Sequence, residues 1–134
     1  MVQALETRLQ ALLEAMNASG HYPLSLVCAE DGLVIAAAGE RLRSEAIASL
    51  TSLFADIATR AARDLGCRMV DELTVCDVAS GRVVVRPLDP AASPRLFLVT
   101  QVPRDRSWRR NTTTAARQLL QILQPLLGAA RENP

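Results

Sequence analysis

Leu24–Gly39, LSLVCAEDGLVIAAAG, is the stretch whose reading decides the fold. Glu30-Asp31-Gly32 separates two runs of small and aliphatic residues. Asp-Gly between apolar runs is a strong hairpin signal, because a tight turn that matches strand twist needs positive φ. Neither run alternates cleanly. Leu24, Leu26 and Cys28 share one parity and Val27 and Ala29 the other, and Leu33/Ile35 and Val34/Ala36 divide the second run in the same way. Strands that are apolar on both faces need cover on both faces. The hairpin therefore predicts a central sheet between layers of helix.

The flanking sequence supplies those layers. Leu5, Leu9, Leu12, Leu13 and Met16 recur at helical spacing, and Asn17-Ala18-Ser19-Gly20 is a stop. After Gly39 a second helix is expected near residues 43–65, its start at Arg41-Leu42 or Arg43-Ser44. Ile47, Leu50, Phe54, Ile57, Ala58, Ala61 and Leu65 form its apolar stripe, and Gly66 is its C′ residue. Of these, Ile47, Phe54 and Ile57 are expected in the core. From Met69 the period changes to two, giving a strand over 69–77, with Asp71 and Glu72 on opposite faces. A turn at Ala79-Ser80-Gly81 leads to the strand Arg82–Arg86, where Arg82 and Arg86 share a face. After a loop at residues 89–94, Leu96–Thr100 reads as a central strand. The last helix begins near Arg106-Ser107 and presents Trp108, Thr112, Ala115, Ala116, Leu119, Leu120, Leu123 and Leu127, with Pro125 kinking or ending it. The order α-β-β-α-β-β-β-α describes an α+β domain over residues 1–134: a five-stranded antiparallel sheet flanked by three helices.

Composition excludes several functions. All fifteen basic residues are Arg, so a Walker A lysine and a Schiff-base lysine are absent. Aromatic residues make up 3% and the formal net charge is +1, which removes stacking platforms and a phosphate-binding surface, so no nucleic-acid partner is expected. There is no G-x-S-x-G elbow and no G-x-G-x-x-G. His21 stands alone before a strand, and Cys28, Cys67 and Cys76 form no C-x-x-C pair. No catalytic residue, metal site or cofactor is expected. No apolar run reaches the roughly 20 residues of a membrane span, and free thiols fit a reducing cytoplasm. Arg104, Arg106, Arg109 and Arg110 gather around Trp108, a solvated helix start or a second contact surface.

The segments Val27–Ala36, Ser49–Ala55, Gly81–Val85 and Leu96–Val99 carry a resemblance. Over nearly the whole chain the sequence resembles the Roadblock/dynein light chain family, particularly its bacterial MglB-type members. The resemblance implies strand order 2-1-5-4-3, with the strand at 69–77 on an edge. It also implies a non-enzymatic homodimeric platform for a small Ras-like GTPase, modulating that protein's nucleotide cycle or localisation. On this reading Ala55, Thr74, Val75 and Cys76 belong to the dimer interface, while Asp56, Arg60 and Arg63 belong to the GTPase-facing surface. A PAS- or profilin-like sensory or adaptor domain is the alternative; a sensory domain needs an apolar internal pocket.

Overall fold

The computed structural model describes residues 2–40, 43–89 and 95–132, and the side chains among them of 3–40, 43–89 and 95–125. The expected helix start at Arg41-Leu42, most of the loop at 89–94 and the side chain of Leu127 lie outside these. The elements are α1 (Val2–Gly20), β1 (Leu24–Ala29), β2 (Val34–Gly39), α2 (Ser44–Asp64), β3 (Leu73–Asp77), β4 (Gly81–Pro87), β5 (Leu96–Val102) and α3 (Arg109–Glu132). All strand pairs are antiparallel and the order is β2-β1-β5-β4-β3. The expected topology is therefore the observed one.

The hairpin turn places Gly32 at φ +89, and the Ala29 N–H donates to the Leu33 carbonyl at 2.9 Å. Both faces of the sheet are covered, as two-faced apolar strands require. On one face Val27, Ala36, Ala38, Val84, Leu98 and Val102 pack with Leu9, Leu13 and Met16 of α1 and Ala115, Ala116, Leu119 and Leu123 of α3. On the other, Leu24, Leu26, Cys28, Val85, Phe97 and Val99 pack with Ile47, Ala48, Phe54 and Ala55 of α2. Asn17 ties α1 to the hairpin: its Nδ2 donates to the Ala38 carbonyl at 3.0 Å and its Oδ1 accepts from Ser25 Oγ.

Two boundaries depart from the sequence reading. The strand expected from Met69 begins at Leu73, because Asp71 and Glu72 are drawn into side-chain bonds outside the ladder. The last helix starts at Arg109, where Thr112 N–H closes the first turn on the Trp108 carbonyl at 2.8 Å. Pro125 does not end it. The helix continues to Glu132, since a proline removes one hydrogen bond and bends a helix that packing elsewhere holds together. His21 has φ +58, and the Tyr22 N–H reaches back to the Asn17 carbonyl at 3.0 Å. This is a left-handed helix end at a residue with a side chain.

Candidate protein-interaction surface

α2 lies over β1, β2 and β5 and packs its small residues against them. The sheet-facing positions are Ile47, Ala48, Thr51, Phe54, Ala55 and Ala58. Four of these are Ala or Thr, which lets the helix sit close to the strands. Larger apolar residues face away: Leu50 is 45% exposed, Leu53 59% and Ile57 48%. Spaced three and four apart, they form one stripe along the helix. The expectation that Ile57 is core is thus corrected. The helix phase is set by the close-packing small residues and not by the bulkiest ones.

Ala55 requires a second correction. Expected at a dimer interface, it is 5% exposed and packed in the core beneath α2, so its surface is already used within the chain. The large apolar residues of α2 that a partner can reach are Leu50, Leu53 and Ile57.

One helix is about 10 Å across, whereas five strands at about 4.8 Å spacing span about 24 Å. α2 consequently leaves the β4–β3 part of its own sheet face open. There Val83 and Leu73 are half-buried, and Val75, paired to Val83, is 52% exposed. A hollow of about 300 Å³ lies beside them, lined by Arg43, Val75, Val83 and Gln101 among others. Thr74 is half-buried with its hydroxyl on Glu72 Oε2, and Cys76 is exposed. β3 has only β4 as a neighbour, so its outer backbone groups face away from the sheet.

The three positions on α2 expected to face a GTPase, Asp56, Arg60 and Arg63, are exposed. The structure brings Asp56 and Arg60 together at 3.0 Å and turns Arg63 to Asp64 at 2.9 Å. Exposed pairs of this kind are worth only about 0.2–1 kcal/mol, so these side chains can exchange partners at little cost.

The cluster around Trp108 is a clamp within the chain. The buried Arg86 guanidinium donates to Asp71 Oδ1 at 2.8 Å, Thr113 Oγ1 at 2.6 Å, Thr112 Oγ1 at 3.0 Å and the Arg109 carbonyl at 3.2 Å. Arg109 reaches Asp71 at 2.9 Å and Glu72 at 3.5 Å, so the two acids act on one partner and do not point apart as a strand would place them. Trp108 Nε1 donates to Glu72 at 2.8 Å, and Arg82 stacks on the indole at 4.5 Å. The bond from Arg86, with Arg109 adding to it, holds the Asp71 carboxyl below the usual carboxylate range. This network fixes the lead-in to β3 against the start of α3. Cys28, the buried thiol, donates to Thr51 Oγ1 at 3.2 Å, and burial pushes its pKa up to about 11. Among the described residues no group of acidic, His or Cys side chains is arranged to hold a metal ion, and no helix is long and apolar enough to cross a membrane.

No protein-family model and no curated protein matches the sequence. Solved structures do match. Myxococcus xanthus MglB superposes with TM-score 0.75 at 17% identity, covering 89% of this chain and 97% of that one. The gliding protein MglB of Thermus thermophilus gives 0.77 at 17%, covering 91% and 93%. The chain has the Roadblock fold. A Roadblock/LC7 domain from Streptomyces avermitilis agrees, with TM-score 0.70 at 16% identity and coverage of 88% and 96%. In Roadblock terms, the surface described above consists of the outer stripe of α2 and the free edge of β3.

Proposed function

We propose that residues 1–134 form a single Roadblock-type domain that works as a non-enzymatic homodimeric scaffold, binding a small Ras-like GTPase and modulating its nucleotide cycle or localisation. The observation that carries the dimer is the set of exposed apolar side chains Leu50, Leu53, Ile57 and Val75 together with the free outer edge of β3. A two-fold axis along β3 joins two sheets into one of ten strands and lays the second α2 over the bare Val75/Val83 face. One operation pairs the edge and covers the apolar face.

The GTPase comes from the family resemblance. Its docking surface on this reading is the outer side of the two α2 helices, where Asp56, Arg60 and Arg63 of each copy present charge next to the paired stripes. The scaffold acts by positioning the GTPase's own catalytic groups. The sensory-domain alternative has less support: the hollow under the C-terminal half of α2, lined by Ala58, Met69, Val70 and Phe97 together with Arg68 and Arg95 among others, holds about 200 Å³, below the roughly 300–1,000 Å³ of ligand pockets.

The test is capture of a small Ras-like GTPase from the same genome, loaded with GTP or GDP, on the immobilised dimer. Preferential capture of the GTP form is expected. Arg60→Glu with Arg63→Glu weakens it and flattens its salt dependence while the dimer mass is retained. Equal capture by parent and double variant moves the docking surface away from α2.

A further inference from the structure

The sheet has a second edge, at β2, on the side opposite β3. We propose that β2 is a docking edge for an extended, basic segment of a partner protein, which adds to the sheet as a sixth strand. The inference does not rest on the dimer or the GTPase.

β2 is VIAAAG, without proline or charge, so apart from a bulge near its start it lacks the devices that commonly blunt an exposed edge. The ladder shows which of its backbone groups face outward. Glu40 N–H donates to the Pro23 carbonyl at 2.9 Å, and hydrogen-bonded pairs alternate along an antiparallel ladder. With the register Leu24↔Gly39, Ser25↔Ala38, Leu26↔Ala37 and Val27↔Ala36, Ala38 and Ala36 bond to β1. Ala37 and Gly39 direct their N–H and C=O groups away from it. A β-bulge between Val27 and Cys28 ends this regular stretch.

A hollow of about 640 Å³ lies beside Ala37 and the β2 residues that precede it. Its walls come from both helical layers: Glu6 and Gln10 of α1 on one side, Ser44 and Glu45 of α2 on the other, with residues 34–37 of β2 as its floor. Helices packed on opposite faces of a sheet leave a slot at sheet level, where an extended chain finds backbone partners that a helix cannot use. Both carboxylates are exposed, and among the described residues neither Glu6 nor Glu45 has an ion-pair partner. The rim is therefore acidic, and its complement is a segment bearing Arg or Lys.

The geometry also specifies spacing. Glu6 belongs to the layer on one face and Glu45 to the layer on the other. Successive side chains of a strand point to opposite faces, so the two cations must be an odd number of residues apart. The segment Thr-Arg-Val-Thr-Arg-Val meets that condition, and Thr-Arg-Val-Arg-Thr-Val does not.

Fluorescein-labelled peptides of these two sequences are titrated by anisotropy into the full chain, with amide resonances followed by NMR. The first binds about fivefold tighter than the second, the equivalent of one to two exposed ion pairs, and it slows exchange at Ala37 and Gly39. Ala37→Pro removes an outward N–H without taking a bond from β1 and abolishes binding, while Glu6→Gln with Glu45→Gln weakens it and erases the preference. The proposal is overturned if the Ala37 and Gly39 amides stay unchanged at millimolar peptide, or if both peptides bind alike. Binding that survives both variants overturns it as well. An assembly of the parent whose mass halves in Ala37→Pro assigns the edge to a second copy of this chain, which also overturns it.

Discussion

Leu53→Gln separates the chain's own stability from its self-association. Leu and Gln have nearly equal helix propensity, and Leu53 packs outside the core with 59% of its surface in water, so the protomer's melting temperature should not move. Complete burial of a Leu side chain stabilises by about 1.5–3 kcal/mol. Scaling by the exposed share leaves about 1–2 kcal/mol to be gained when a partner covers it. A two-fold interface contains the residue twice, so the substitution costs the dimer about 2–4 kcal/mol, or roughly 30- to 1,000-fold in Kd. Sedimentation equilibrium over a wide range of protein concentration reads that shift directly, with Glu6→Gln as a control remote from the stripe. A Kd within about threefold of the parent, in a variant that melts normally, would show that the outer stripe of α2 is not the dimer surface; a factor of three is only about 0.65 kcal/mol.

The remaining predictions concern the fold. Phe54→Ala should cost about 3–5 kcal/mol in urea unfolding of the protomer, and Ile57→Ala far less; equal costs would return Ile57 to the core. His21→Gly should raise stability by about 1 kcal/mol, because glycine takes positive φ without strain, and a lower melting temperature would count against the left-handed helix end. Asp71 has a folded-state pKa held below its unfolded value of about 3.9. Its contribution is thus present above pH 4 and disappears as pH falls through the folded pKa. Unfolding free energy should fall less steeply between about pH 5 and pH 2 in Asp71→Asn than in the parent, and parallel curves would remove the Arg86 bond as the cause.

Local chemistry made much of this legible. Asp31-Gly32 marked the hairpin, two-faced apolar runs marked the buried strands, and Gly66, at φ +73, marked the end of α2. The family resemblance supplied the strand order. What stayed hidden depended on distance or on competition between surfaces. α2 has apolar residues around more than half its circumference, and size alone favours Leu50 and Ile57 over Ala48, Thr51 and Ala55. Only the sheet's demand for close approach selects the small set. The surplus of large apolar residues was the available signal that the helix has two contact faces. The Arg86–Asp71–Arg109–Glu72 clamp joins residues 15 to 38 positions apart, and no periodicity announces such pairs. The same clamp explains why Asp71 and Glu72, which alternate as strand residues would, lie outside β3.

The place of β5 bears on how the protein emerges from the ribosome. β5 lies between β1 and β4, yet it is the last strand to be synthesised. Until residues 96–102 leave the exit tunnel, β1–β2 and β3–β4 are separate hairpins, and the inward edges of β1 and β4 have nothing to pair with. Isolated hairpins are marginally stable, and unpaired edges invite contact with neighbouring chains. Completion of the sheet therefore waits for residues 96–102, and the nascent chain is most prone to aggregate just before β5 emerges.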